Sequence, residues 1–230
     1  MNATARRLIG PGAITMIMLA ILIGLGIWQV HRLAWKRGLL ADIARAETAP
    51  GVALPAKPGR FLKVHVTGRF HYEQSATYGV ELRRTAEGDM LGAQIVTPLF
   101  RADGPPILVD RGWAPTDHPV TLAQPAGEVT VEGYVRPSEN PGLFSPGDDP
   151  AKRVFYTLDT AKIGAALGLG QVAPFTLVAL GPPPPQGYPE PATSLPRPPN
   201  DHLSYAITWF GLAATLLVIF LLYARKVTAR

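Results

Sequence analysis

Two long apolar runs lie towards the ends of the chain, and short alternating runs fill the region between them. The first, Leu8 to Val30, has 23 residues without a charge, and the second, Leu203 to Ala224, has 22. At 1.5 Å per residue each run spans about 33 to 35 Å as a helix, enough to cross a hydrocarbon layer of roughly 30 Å. The pattern predicts transmembrane helices at 8–30 and 202–224, with tails at 1–7 and 225–230.

Past the first span, "HRLAWKRGLLADIARAETA" carries Leu33, Leu40, Ile43 and Ala44 among charges, which predicts a helix continuing off the membrane until Pro50, Pro55 and Pro58 end it. That stretch, 31–59, reads as a helical connector. From Arg60 the period changes to two. "FLKVHVTGRF", "TYGVELRR", "GAQIVTPLF", "PPILVDRGWAP", "EVTVEGYVRP", "RVFYTLD" and "PFTLVAL" follow as β-branched or aromatic runs bounded by Gly, Pro and Asp. One helix interrupts them, "TAKIGAALGLG", which Asp159 or Thr160 can cap and Gly168 or Gly170 can end. The fold class expected is α+β: two terminal membrane helices flanking an antiparallel β barrel or sandwich-like domain at 60–180 with one or two helices. Nine prolines in "GPPPPQGYPEPATSLPRPPN" then predict a stiff spacer at 181–201.

Charge placement decides what the net +5 means. Residues 31 to 202 carry 17 Lys/Arg against 17 Asp/Glu, so the excess lies in Arg6, Arg7, Arg225, Lys226 and Arg230, beside the spans. Basicity of that kind orients a membrane protein and argues against a nucleic-acid partner. It puts both termini in the cytoplasm and the central domain outside, although Arg32, Lys36, Arg37 and Arg45 oppose this on a local count. The uncharged run is long for a signal-peptide core and no small-x-small cleavage site ends it, so the first span reads as an uncleaved anchor in a bacterial plasma membrane. The absence of cysteine excludes thiolate nucleophiles, iron–sulfur clusters and Cys-type metal sites. Nucleotide-binding, metalloprotease and hydrolase motifs are also missing, and no nucleophile with an oriented base points to an enzyme.

Two stretches carry candidate chemistry. In "NDHLSYAITWFGLA", Asn200 or Asp201 can cap the second span, and His202, Tyr205, Ala206, Trp209 and Ala213 recur at helical spacing. Gly24, Gly26, Trp28, Gln29 and His31 lie at the matching end of the first span. An aromatic belt with solvated histidines accounts for this pattern. So does a haem site, in which a neutral imidazole meets iron and the propionates face water. In "ILVDRGWAP", Asp110 and Arg111 read as a structural ion pair, with Gly112 for a bend and Trp113 for the core. Arg83 and Arg84 read as a charged edge.

These residues resemble the Surfeit locus protein 1 family, assembly factors for haem-copper cytochrome c oxidase. The resemblance rests on "LGIWQVHRLAWK", "GAQIVTPLF", "PPILVDRGWAP", "VTVEGYVRPSE" and "NDHLSYAITWFGLA", in that order over nearly the whole chain. It implies a non-enzymatic role in oxidase biogenesis: binding haem a and assisting its insertion into the large catalytic subunit of cytochrome c oxidase. The haem a synthesis enzyme and the lipid bilayer are further implied partners, and a homo-oligomer is possible. The match carries the haem connection onto His202 as metal ligand, with Tyr205, Trp209, Trp28 and His31 as the surrounding cofactor-binding candidates. A haem-free scaffold that holds an oxidase intermediate is the alternative.

Overall fold

The computed structural model describes residues 3–85, 88–143, 145–185 and 187–229. They divide into two units: residues up to Ala44 together with Arg197 onwards, and Arg45–Pro196.

The first unit is a pair of helices, α1 (Ala3–Thr48, 46 residues) and α3 (His202–Thr228, 27 residues). Both are long and apolar enough to cross a membrane. At about 69 Å, α1 is more than twice as long as a hydrocarbon layer is thick. The helix expected to continue past residue 30 does so without a break and ends at Thr48, just before Pro50.

Packing between the two follows a 3.5-residue repeat. On α1 the covered positions are Thr15, Leu19, Leu22, Gly26, Gln29 and Leu33, and on α3 they are His202, Ala206, Trp209, Ala213, Leu216 and Phe220. Steps of four and three keep one seam facing the partner helix. Gly12 lies against Phe220, Gly26 against Phe210, and Gln29 against His202. These contacts run in opposite chain order, so the helices are antiparallel. Small residues at Gly26, Ala206 and Ala213 let the backbones approach. A Cβ on Gly26 would lie 2.7 Å from the Phe210 ring. Asp201 occupies the N-cap position of α3 as the sequence predicts, but its side chain makes no capping hydrogen bond.

The second unit is built on one mixed sheet. Its strands are β1 (Val52–Ala53), β2 (Lys63–Phe70), β3 (Ala76–Thr85), β4 (Gly88–Phe100), β5 (Ile107–Pro115), β6 (Val129–Pro137), β7 (Val154–Phe155) and β8 (Phe175–Ala179), in the order β1-β2-β6-β8-β5-β4-β3-β7. The expected antiparallel barrel or sandwich is corrected on two counts. Strands β1–β2, β3–β7 and β5–β8 pair parallel. The sheet also has end strands, and the additional contact between β2 and β4, Arg69 with Phe100 and Phe70 with Leu99, curls it without making a closed barrel.

Strand β5 is buried along its whole length and separates two cores. Ile107 and Val109 join Val64, Leu99, Val135 and Leu177 on one face, while Leu108 joins Val96, Phe155, Leu158 and Ile163 on the other. The second core is closed by α2 (Thr160–Ala166), whose first turn Asp159 caps through the amides of Ala161 and Lys162, as expected from the sequence. The chain then reaches the proline-rich stretch. Its described residues form no regular ladder, yet they are more than a spacer: Trp113 and Glu190 exchange backbone hydrogen bonds of 2.9 and 2.8 Å, Gly181 donates to Ala192, and Leu195 is buried. Residues 181–185 and 187–196 are a strap laid on the sheet.

Candidate functional site

At one end of the helix seam, Nδ1 of His202 lies 2.8 Å from Oε1 of Gln29. Gln29 is 8% exposed, a polar side chain on a face otherwise made of Leu22, Gly26 and Leu33. A buried amide on an apolar stripe costs free energy unless it is paired, and here the imidazole is its partner. Nε2 of His202 has no hydrogen-bond partner among the described residues. Two residues earlier, Oδ1 of Asn200 is buried with no donor to satisfy it among the described residues.

The other candidates distribute around this pair. Trp209 is half-buried on the seam, one turn below Ala206. Tyr205 borders the seam and Trp28 lies outside it, and these rings are 56% and 53% exposed. His31 is two residues past Gln29, about 200° round the helix, and is exposed. The structure thus brings His202 and Trp209 onto one face with Gln29, leaves Tyr205 and Trp28 as outward aromatics, and turns His31 away. Gln29 is the residue that sequence reasoning placed nearby without giving it a role. Its signal is the polar side chain interrupting the 3.5-residue apolar repeat.

In the β unit a second polar centre surrounds Asp110. Adjacent residues on a strand point to opposite faces, so Asp110 and Arg111 cannot form the ion pair expected between them. The Arg111 guanidinium instead donates to the Ala123 carbonyl and lies between the rings of Phe70 and Tyr72, at 5.2 and 4.9 Å from their centres. Asp110 accepts from the Gly112 amide at 3.1 Å and lines a cavity of about 370 Å³ with Tyr78, Glu81, Arg83, Tyr134, Arg136 and Glu190. Both guanidinium groups are engaged with other acids: Arg83 with Glu81 at 2.8 Å and Glu190 at 3.1 Å, and Arg136 with Glu139 at 2.7 Å. Burial therefore dominates and pushes the Asp110 carboxyl up to about 6, against the opposing pull of the Gly112 amide and the arginines. Arg83 also covers the face of Trp113 at 4.9 Å, so it is a partly buried structural cation and not a solvated edge charge. Arg84 pairs with Asp89 and stays exposed.

A family model described as the SURF1 family matches residues 16–214, a span that holds both centres. The chain belongs to the SURF1 family. It is 32% identical over 222 residues to a SURF1-like protein of Rickettsia felis, covering 93% of this chain and 96% of that protein. To Surfeit locus protein 1 of Homo sapiens it is 32% identical over 212 residues, which covers 83% of this chain and 70% of the human protein. To the Rattus norvegicus protein of that name it is 31% identical over 227 residues, with 88% and 72% covered. The sheet and the His202–Gln29 pair of this SURF1-family chain lie within the matched residues 16–214.

Proposed function

We propose that this chain is a membrane-anchored assembly factor for haem-copper cytochrome c oxidase, which receives haem a at the outer ends of its two helices and passes it to the large catalytic subunit. The observation that carries the reading is the half-buried His202 imidazole on the helix seam, tied to α1 by Gln29 through one ring nitrogen and unpartnered at the other among the described residues. A neutral imidazole beside an apolar layer suits iron in a porphyrin, whose ring belongs in hydrocarbon and whose propionates belong in water. His202 would supply the axial ligand, and Trp209, Tyr205 and Trp28 the aromatic surface near the ring. The orphaned oxygen of Asn200 fits a site that lacks one donor until its cargo arrives. In this reading the protein is a carrier in a bacterial inner membrane with both termini cytoplasmic, and the haem a synthesis enzyme is the donor.

Full-length protein purified in detergent from cells that make haem a is expected to carry about one haem per chain, read by pyridine haemochrome. Loss of an axial ligand should cut the content of His202→Ala at least about tenfold. Equal content in the two proteins would clear His202. Haem-free wild type that still co-purifies with the large oxidase subunit would favour a scaffold.

A further inference from the structure

An imidazole can bind iron only through an unprotonated nitrogen, and a neutral imidazole has one such nitrogen. Which one is free depends on what the other touches. Here the amide oxygen of Gln29, an acceptor, sits 2.8 Å from Nδ1 of His202, so the proton belongs on Nδ1 and the lone pair on Nε2. We propose that Gln29 is the positioning residue of the haem site: it fixes the tautomer and the ring plane of His202 and sets how strongly Nε2 donates to iron. This rests on the haem reading of the helix seam.

The packing of the helix pair supports it. Gln29 occupies a seam position between Gly26 and Leu33, so its stem is held by packing and its amide is aimed at the opposite helix. Its 8% exposure limits water as a competing partner for its own amide. A neutral amide also suits the location: a carboxylate there would make a stronger acceptor, but it would bring an uncompensated charge towards an apolar layer. Gly26 one turn earlier keeps that approach close, since any side chain there meets Phe210. An outer partner on the second ring nitrogen is the device by which proteins orient a metal-bound histidine and raise its basicity, and its removal costs about 10- to 100-fold in affinity.

The test uses the full chain in detergent with ¹⁵N-labelled histidine, haem-free and loaded with haem a, as wild type, Gln29→Met and Gln29→Glu, with His202→Ala to assign the signal. Gln29→Met keeps the length and apolar packing but removes the acceptor, and Gln29→Glu restores an acceptor. In haem-free wild type His202 is expected as the Nδ1–H tautomer, and Gln29→Met loses that bias. On loading, Gln29→Met binds haem a about 10- to 100-fold more weakly. Gln29→Glu recovers binding with a midpoint potential below that of wild type, because a more basic imidazole stabilises ferric iron. An Nε2–H tautomer in the haem-free wild type overturns the proposal. So does unchanged affinity together with unchanged potential in Gln29→Met. If the wild type takes up no haem the carrier reading fails, and the haem-free tautomer still decides the role of Gln29. Should Gln29→Met fail to fold, the potential of Gln29→Glu against wild type decides it: equal values overturn the proposal.

Discussion

Gly112→Ala is expected to cost more than about 3 kcal/mol and to release the strap from the sheet. Gly112 has φ of 122°, a region that residues with a Cβ rarely occupy, and an added Cβ would stand 1.9 Å from the Glu190 carbonyl oxygen. That oxygen is backbone and cannot swing aside. It is the acceptor for the Trp113 amide, so the two chains would have to separate. Trp113 would lose more than this one bond. Its ring is fully buried, donates to the Glu81 carbonyl at 3.2 Å, and packs edge-on against Tyr188 of the strap. Denaturant unfolding in detergent, followed by near-ultraviolet circular dichroism, measures the loss. Protease digestion of the folded protein should find cleavage within 181–196 in the variant and not in the wild type. Unchanged stability with an intact strap would mean that Gly112 is not pinned as described.

Asp110→Asn should stabilise the protein at pH 7.5 by up to about 3 kcal/mol and have little effect near pH 4. The carboxyl has its pKa raised from 3.8 to about 6 by burial, and each unit is worth about 1.4 kcal/mol. Below pH 3.8 both folded and unfolded chains hold the proton and the penalty vanishes. As pH rises the unfolded chain ionises first, so stability falls between about 4 and 6 and the full penalty persists above that range. Asparagine keeps an acceptor for the Gly112 amide and never ionises. Unfolding free energies of the two proteins, taken at half-unit steps from pH 4 to 8, isolate this group because every other titration is common to both. A difference that is constant with pH, or a variant that is less stable at pH 7.5, would contradict the assignment.

Both predictions turn on residues whose surroundings the sequence described only in part. Period-two alternation located β2, β3, β4, β5, β6 and β8 because their inward residues are β-branched or aromatic and turns bound them, and the run "RVFYTLD" holds β7. It could not show that β5 and β8 run parallel, since that pairing depends on the crossover through α2, nor could it find the two-residue strand β1, which is too short to have a period. An Asp110–Arg111 ion pair is excluded by strand geometry alone, which sends neighbouring side chains to opposite faces. Prolines exclude a ladder but say nothing about single bridges, and for that reason the strap was legible only as a spacer. On the membrane helices, a 3.6-residue face groups Tyr205 with His202. The antiparallel 3.5-residue seam drops Tyr205 to its border and admits Gln29. Recognising that amide required knowing which face of α1 meets which face of α3, information that lies in the pairing of two segments about 170 residues apart and in neither one alone.

In the proposed carrier His202 itself touches iron. Replacing it with methionine, another axial ligand, separates direct contact from support at a distance. If His202 is the ligand, His202→Met purified from haem a-producing cells should retain haem at reduced occupancy, with an altered reduced absorption spectrum and a higher midpoint potential than wild type. Wild-type spectrum and potential in His202→Met would show that the iron is held by another group and would contradict the claim.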